Sequence, residues 1–345
     1  MQNFTRKKVN ELELAMAQQY AVDNVAQKFA VTPAVAQVMV AAIKTDNSFL
    51  NKINVMMVLP QSGEAIAVNA VGMIANKTDT SANDRAPVDP SSLGGTPYAC
   101  LQVNFDTFLK YSTLDAWAHL KNFQTLVASQ TRKQIASNMI MIGFYGESVA
   151  ATSDPVANPK GQDIAKGWYQ KLRENAPEKI ILEGVPASGA IKIGTGGDYL
   201  NLDVAVNDIK QLIDEPFDED GDLVVIVGSE LLANDKAKFY SDNGNTPSEK
   251  AMIEDKQVIG TYGGLPAFKI PNFPARGLMI TSFNNLSIYI QEASIRRSML
   301  DNPKRDRYET YQSQEMDYVI EELGKIAALE FKNVQITEDG GTSWI

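Results

Sequence analysis

Apolar residues recur at helical spacing in two segments near the start of the chain. Val9, Leu12 and Met16 lie three or four positions apart, which predicts an amphipathic helix over residues 6–20. A second helix is predicted to begin at Thr32, because an N-cap threonine followed by proline is a typical helix start. Neither helix has an obvious partner nearby, so we expect both to bury their apolar faces against something outside this segment.

The pattern changes to strands after these helices. Residues 53–60, 64–75 and 98–111 are strand-like, and the last two stretches alternate between their two faces. The intervening residues 76–97 are rich in Asp, Ser, Pro and Gly, and a structureless loop of that length is unusual in a compact domain. We therefore expect a hairpin arm that projects from the body and needs a neighbour to cover it.

The middle of the chain is predicted to contain a long helix followed by an α/β unit. Residues 113–142 carry one apolar stripe, which predicts a rod of roughly 45 Å. Residues 163–275 alternate helical patterns with the continuous apolar strand 222–228, of the kind that is buried on both faces. Strands are predicted again toward the end of the chain, mainly over residues 318–336.

The amino-acid composition limits the kinds of functional site that the chain can form. A chain of 345 residues, 44% of them hydrophobic, can bury a large core without disulfides or metals. A single cysteine, Cys100, excludes an intramolecular disulfide and a cysteine-built zinc or iron-sulfur site. The formal net charge of -10 disfavours wrapping nucleic acid with the bulk surface. We find no signal-peptide core and no membrane span, so we expect a cytoplasmic protein.

The glycine-rich loop 192–203, KIGTGGDYLNLD, is the first candidate for chemistry. A phosphate-binding P-loop needs a lysine and a hydroxyl after its last glycine, whereas Gly197 is followed by Asp198 and Tyr199. The dinucleotide fingerprint fails as well, because the spacing is G-x-G-G and the preceding strand is short. We interpret the loop as a turn in which Asn201 or Asp198 caps the next helix.

Two other candidates also have ordinary interpretations. The acidic stretch 214–222, DEPFDEDGD, resembles a calcium loop. Counted from Asp218, however, the EF-hand positions for glycine and glutamate hold Leu223 and Ser229, so we favour a solvated acidic turn. The single histidine, His119, has no nucleophile motif beside it. We therefore predict no catalytic residue, no metal and no cofactor.

A basic cluster near the end of an acidic chain is the most unusual charge feature. Its members are Arg296, Arg297, Lys304, Arg305 and Arg307. Three interpretations remain open: a contact with acidic turns of a neighbouring subunit, a solvated face, and a nucleic-acid patch. We take the intersubunit contact as the working hypothesis and add Lys77 and Arg85 of the polar segment to it.

Long stretches of the sequence resemble the major capsid proteins of tailed bacteriophages, specifically the P2-like group. They span most of residues 30–325 in order: GFYGESVAATSD, NPKGQDIAKGWYQKLR, GTGGDYLNLD, DLVVIVGSELLA, GGLPAFKIPNFPA, LSIYIQ and NPKRDRYETYQSQEMDYVIEEL. Ordered matches of this length are far more specific than any short catalytic motif.

The resemblance implies the Hong Kong 97-type capsid fold, an α+β fold with an N-arm, an extended β-hairpin loop, a peripheral domain with a long spine helix, and an α/β axial domain. On this chain the divisions become an N-terminal arm at 1–52, a hairpin loop at 53–112, a peripheral domain at 113–162 and 276–345, and an axial domain at 163–275.

The resemblance also implies a function. The chain would assemble with itself into pentamers and hexamers of an icosahedral head around double-stranded DNA, which it would touch weakly and non-specifically. The hairpin arm, both N-terminal helices and the cluster at 296–307 would gain partners only in that assembly, from other copies of the chain. Its other partners would be an internal scaffold or protease and the portal. It would be part of the virion capsid, assembled in the host cytoplasm. The alternatives are a phage tail or scaffold structural protein and an α/β nucleotide-binding enzyme.

Two covalent events known in such capsids bear on particular residues. The N-terminal segment is commonly removed by a phage protease, which would place a cut here at Phe29, Ala30, Val31 or Thr32. Some relatives crosslink neighbouring subunits through lysine and asparagine side chains. Lys77 and Asn83 lie in the polar segment, but no acid can be placed beside them, so we expect no crosslink.

Overall fold

The computed structural model describes residues 1–66, 75–82, 84–85, 87, 95–120, 122–215, 217–235, 260–337, 341 and 343–345. The helices whose two ends both lie in the described ranges are α1 (Asn3–Tyr20), α2 (Pro33–Thr45), α3 (Tyr111–Trp117), α4 (Phe123–Tyr145), α5 (Trp168–Asn175) and α6 (Leu202–Lys210). The strands are β1 (Phe29–Ala30), β2 (Asn54–Val58), β3 (Ser62–Ile66), β4 (Gly95–Ala99), β5 (Leu101–Asn104), β6 (Thr107–Lys110), β7 (Ile180–Ile181), β8 (Ile191–Ile193), β9 (Val224–Val227), β10 (Thr261–Tyr262), β11 (Leu265–Phe268), β12 (Leu278–Thr281), β13 (Leu286–Gln291), β14 (Arg296–Asn302), β15 (Arg307–Ile320), β16 (Ala327–Leu329) and β17 (Val334–Ile336).

The larger sheet is organised around β15, which is 14 residues long. β13 and β14 pair antiparallel with successive parts of β15, and so do β5 and β6. Because residues 307–310 pair with both β14 and β6, these two sets of strands lie on opposite edges of β15. β2 adds a parallel strand beside β13, and β1 adds an antiparallel strand beside β14. Distant parts of the chain therefore meet on one strand.

Trp168, at the start of α5, lies at the centre of the main hydrophobic core. Its indole Nε1 donates to the carbonyl oxygens of Ser287 and Val319, each at 3.2 Å. On α4, a Cβ at Gly143 would lie 2.4 Å from the Trp168 ring, so the close approach of α4 depends on glycine. The indole therefore ties the helical layer to β13 and β15.

The second sheet has the order β10-β11-β9-β12-β16-β7 and separates two cores. Along β9, Val224 and Ile226 point to the main core, whereas Val225 and Val227 point to a second core that includes α6. A strand buried on both faces must be apolar at every position. The buried strand predicted within 222–228 is therefore confirmed.

The single long helix predicted over 113–142 is wrong. α3 ends at Trp117, and Asn122, with a φ of -107° and a ψ of 30°, precedes α4. The two helices pack into different cores, because Leu114 lies in a small cluster beneath α1 and Ile135 lies in the main core. The apolar spacing along the chain does not show which core a helix packs into.

None of the helices in the described ranges is long and apolar enough to cross a membrane.

The N-terminal helices pack against their own chain, which corrects the expectation that only other copies cover them. Val9 of α1 is fully buried against α3 and the large sheet, and Ala36 and Ile43 of α2 enter the main core. Leu14 of α1 and Val38 of α2 nevertheless remain 63% and 64% exposed. Pro33 is the first residue of α2, but the Thr32 side chain makes no cap hydrogen bond.

The segment predicted as a hairpin arm contributes to two sheets. β2, β5 and β6 lie in the large sheet, and the antiparallel pair that leaves it is β3 with β4, from Ser62 opposite Ala99 to Ile66 opposite Gly95. Most of the connection beyond this pair lies outside the described residues. The strand predicted over 318–336 is interrupted, because β15 ends at Ile320 and only β16 and β17 follow.

Candidate functional site

The glycine-rich loop after β8 is a turn, as predicted. Gly194 and Gly196 have φ values of 140° and 80°, which favour glycine. The Asp198 carboxylate accepts the Lys192 backbone N–H at 2.7 Å, so it uses a loop amide itself. Asn201 accepts the backbone N–H of Val204 at 3.0 Å and caps α6, which confirms one of the two predicted caps. A Cβ at Gly197 would lie 2.6 Å from Trp344, so the chain end packs on this loop.

The acidic stretch 214–222 is partly neutralised by lysines. Lys325 pairs with Asp220 at 2.7 Å and with Asp222 at 2.8 Å, and Lys179 pairs with Asp214 at 2.5 Å. Burial lowers the pKa of Lys325, but the hydrogen bonds that its ammonium donates to the two carboxylates, together with their negative charge, more than offset that and raise it. Among the described residues, no group of three or more histidine, cysteine or acidic side chains is arranged to hold a metal ion.

The base of the β3–β4 pair is fixed to the body by Asp317 of β15. Its carboxylate accepts the Ala99 backbone N–H at 2.9 Å and the Lys171 ammonium at 2.8 Å. Tyr98 packs edge-on against Tyr289 with ring centroids 4.9 Å apart. Because an isolated two-stranded ribbon is marginally stable in water, these contacts are what hold its base. Sequence reasoning missed Asp317 and Lys171, which are 146 residues apart.

The basic cluster does not form one patch. Arg296 begins β14, and Lys304 and Arg305 lie in the turn after β14, so the length of a seven-residue strand, roughly 20 Å, separates them. These three side chains are exposed. We call Lys304 and Arg305 the basic turn.

The other two arginines of the cluster are engaged within the chain. Arg297 faces the N-terminal helices and donates to the Tyr20 hydroxyl, with its guanidinium 5.4 Å from the centre of that ring. Arg307 pairs with Glu309 at 2.6 Å and lies 4.4 Å from the centre of the Phe108 ring. Both therefore stabilise the hairpin and its attachments.

A face of the β14–β15 hairpin carries exposed apolar side chains around a buried carboxylate. Glu309 lies between Leu300 and Phe108 on the neighbouring strands and accepts hydrogen bonds from Arg307 and Tyr311. Those bonds, led by Tyr311, lower the pKa of Glu309. Phe108 is 50% exposed and Leu300 is 40% exposed. We call Phe108, Leu300 and Tyr311 the hairpin face. Strand alternation is the one pattern in the sequence that points to this face.

The remaining predicted residues lie in three regions of the chain. Phe29 and Ala30 form β1, paired with Arg297 and Arg296, and the Val31 N–H donates to the Ile295 carbonyl at 2.8 Å. Thr32 is exposed just before α2. Lys77 and Arg85 are exposed in the polar segment, and Asn83 lies outside the described residues. His119 is exposed in the link between α3 and α4.

Comparison with known proteins identifies the family to which this chain belongs. The family model described as phage major capsid protein, P2 family, matches residues 8–331. The chain belongs to the P2 family of phage major capsid proteins. It is 39% identical over 337 residues to capsid proteins of Escherichia phage P2, covering 93% of this chain and 92% of that protein. It is 36% identical over 348 residues to the major capsid protein of Serratia phage KSP20, covering 99% and 100%.

Solved structures agree with this membership. A chain in the procapsid of satellite phage P4, a structure that includes the size determination protein, is 37% identical over 98% of this chain and 99% of that one, with a TM-score of 0.78. A chain from the capsid of an empty GTA particle shares the fold alone, with 13% identity, coverage of 82% and 89%, and a TM-score of 0.51. The predicted Hong Kong 97-type α+β fold is confirmed. This P2-family capsid protein is a structural component of the virion shell.

Proposed function

We propose that this major capsid protein assembles with itself into pentamers and hexamers of a closed head that encloses double-stranded DNA. The similarity to a chain of a solved procapsid over almost its whole length carries this proposal. Each contact in such a shell can be weak, because many copies in closed symmetry add their contributions. The role requires no catalytic step.

The other partners belong to the same proposal. A scaffold or protease and a portal would act during assembly in the host cytoplasm, and the DNA would be touched only weakly. The net charge of -10 supports weak contact with DNA, because a surface poor in uncompensated cations has little affinity for a polyanion.

We further propose that the basic turn, Arg296, and the exposed cations Lys77 and Arg85 contact neighbouring subunits, with Arg297 and Arg307 supporting the hairpin from within. Exposed acidic side chains suitable as partners remain in the turn after α6, because Glu215 and Glu219 are exposed and take part in none of the ion pairs of the described residues. Complementary charge mainly sets the partner and the register of an interface.

Charge reversal tests this contact. The double variant Lys304→Glu with Arg305→Glu is expected to yield unassembled chains, and Glu215→Lys with Glu219→Lys is expected to restore particles in that background. Electron microscopy and sedimentation of the expressed chain provide the measurement. The control is Lys7→Glu with Lys133→Glu, which reverses two exposed lysines elsewhere on the surface. Normal particles from the first variant would contradict the assignment.

The N-terminal segment is proposed to be removed between Phe29 and Thr32. A protease binds its substrate as an extended strand, so β1 must first leave β14. Because β1 is only two residues long, it is held weakly to β14, which supports such a release. N-terminal sequencing of the chain from mature particles tests the proposal, and an intact Met1 in every copy would refute it.

A further inference from the structure

A cavity of about 410 Å³ lies between α1, α2, α4 and the sheet beneath them. Most of the side chains around it are apolar, including Leu12 and Met16 of α1. Val38 of α2 also lines it and is 64% exposed, so the cavity reaches the surface of the chain. Its volume falls within the roughly 300–1,000 Å³ typical of small-molecule sites.

Two polar side chains on the sheet side of this cavity have donors without a partner. Arg297 and Gln312 both line it and are directly opposite each other on β14 and β15. The buried Nε of Arg297 and the buried Nε2 of Gln312 make no hydrogen bond. Gln312 is only 3% exposed. Directly opposed residues have Cβ atoms about 5 Å apart on one face of the sheet, so one ligand group would reach both donors once the two side chains turn toward the cavity.

The charge of Arg297 also lacks a carboxylate partner among the described residues. Its Nη1 donates to the neutral hydroxyl of Tyr20 and contacts the Met39 Sδ at 3.9 Å. Across the described part of the chain it forms no ion pair with a carboxylate. By contrast, Arg132 on the opposite wall pairs with Asp46 at 2.8 Å. A half-buried cation and buried donors without acceptors both cost free energy, and an anion would relieve both.

We propose that this cavity binds a small amphiphile with a carboxylate head and an apolar chain. The carboxylate accepts hydrogen bonds from Arg297 and Gln312, and the chain lies among Leu12, Met16 and the apolar side chains of α2. Water alone would satisfy the donors but not the charge, and the apolar walls offer it few partners. The ligand would join α1 to the sheet, since the cavity is lined by both.

Titration of the full-length chain with decanoate, followed by calorimetry and thermal unfolding, tests the site. We expect saturable binding of one decanoate per chain and a rise in melting temperature. Decanol, which has the same chain and a neutral head, is expected to bind at least about tenfold more weakly, because hydrogen bonds to a charged group are the stronger ones.

Two variants locate the binding, and a third is the control. Gln312→Leu removes one donor and is expected to weaken decanoate binding about tenfold, while Arg297 still holds Tyr20. Ala42→Phe adds volume at the cavity wall and is expected to abolish binding. Lys269→Gln removes an exposed cation outside the cavity and is expected to bind normally. Circular dichroism checks that each variant folds.

Three results would overturn the proposal: no decanoate binding by the unaltered chain, equal binding of decanoate and decanol, or undiminished binding by folded Ala42→Phe. If Ala42→Phe does not fold, the comparison of decanoate with decanol and the loss in Gln312→Leu decide the question on their own.

Discussion

The helices α1 and α6 are attached to the same molecule in different ways. α1 has 18 residues, of which Thr5, Val9 and Tyr20 are buried. α6 has 9 residues, of which Leu202, Ala205, Val206 and Ile209 are buried. α6 also has a side-chain N-cap, whereas α1 has none and carries no acidic residue in its first turn. A cavity lies beneath α1. The shorter helix is therefore part of a core, and we expect the longer one to be released separately.

The largest expected effect is the difference in stability loss between core substitutions in these two helices. Ile209→Ala empties a fully buried position of the second core and should lower the free energy of global unfolding by about 2–5 kcal/mol. Val9→Ala empties an equally buried position under α1, but we expect its cost, about 1–3 kcal/mol, to fall on the docking of α1 alone.

Urea unfolding together with hydrogen exchange measures both quantities. Val9→Ala should speed amide exchange over residues 3–20 and leave the global midpoint nearly unchanged. An equal loss of global stability in the two variants would show that α1 and α6 unfold as one unit, which would break the comparison.

A smaller effect concerns how helices begin. Asn201→Ala removes the hydrogen bond to the Val204 N–H and should cost about 1 kcal/mol in unfolding free energy. Thr32→Ala changes the residue at the same position before α2, where the side chain makes no cap bond, and should change stability by less than about 0.5 kcal/mol. Denaturant titrations of the two variants give the comparison, and equal losses would count against the assigned cap.

The smallest effect is the pH dependence of α1. Burial, then the nearby Asp301 carboxylate, raises the pKa of Glu13, although Arg6 and Tyr308 act in the opposite direction. The docked helix thus holds this proton more tightly than the free one, so docking strengthens as pH falls through the raised pKa and levels off below the ordinary value of 4.5. Tyr111 and Asp306 also lie near this group of charges.

Limited proteolysis of α1 between pH 7 and pH 4 measures this dependence. Cleavage should slow as the pH falls, and Glu13→Gln should remove most of the change. Faster cleavage at low pH in the unaltered chain would reverse the sign and contradict the assignment.

Much of the local structure could be predicted from the sequence because it depends on neighbouring residues. Pro33 marks the start of α2, the apolar stretch 222–228 contains β9, and Asn201 caps α6. The candidate site could be predicted only in part. Arg296, Lys304 and Arg305 are exposed as an intersubunit contact requires, whereas Arg297 and Arg307 are engaged within the chain. The face of the sheet on which a strand side chain lies depends on the pairing register. The positions of the charged residues in the sequence do not reveal that register.

By itself, the sequence determined the family, the order of most elements, and the absence of a phosphate-binding pattern in the glycine loop, because these depend on residue identity and short spacing. Only the tertiary structure decided that α3 and α4 are separate, that Asp317 fixes the base of β3 and β4, and that Arg297 and Gln312 meet beneath α1. Each of these features depends on residues that are far apart in sequence. Some of them pair across one central strand and others pack in different cores, so a local sequence pattern cannot predict the contacts.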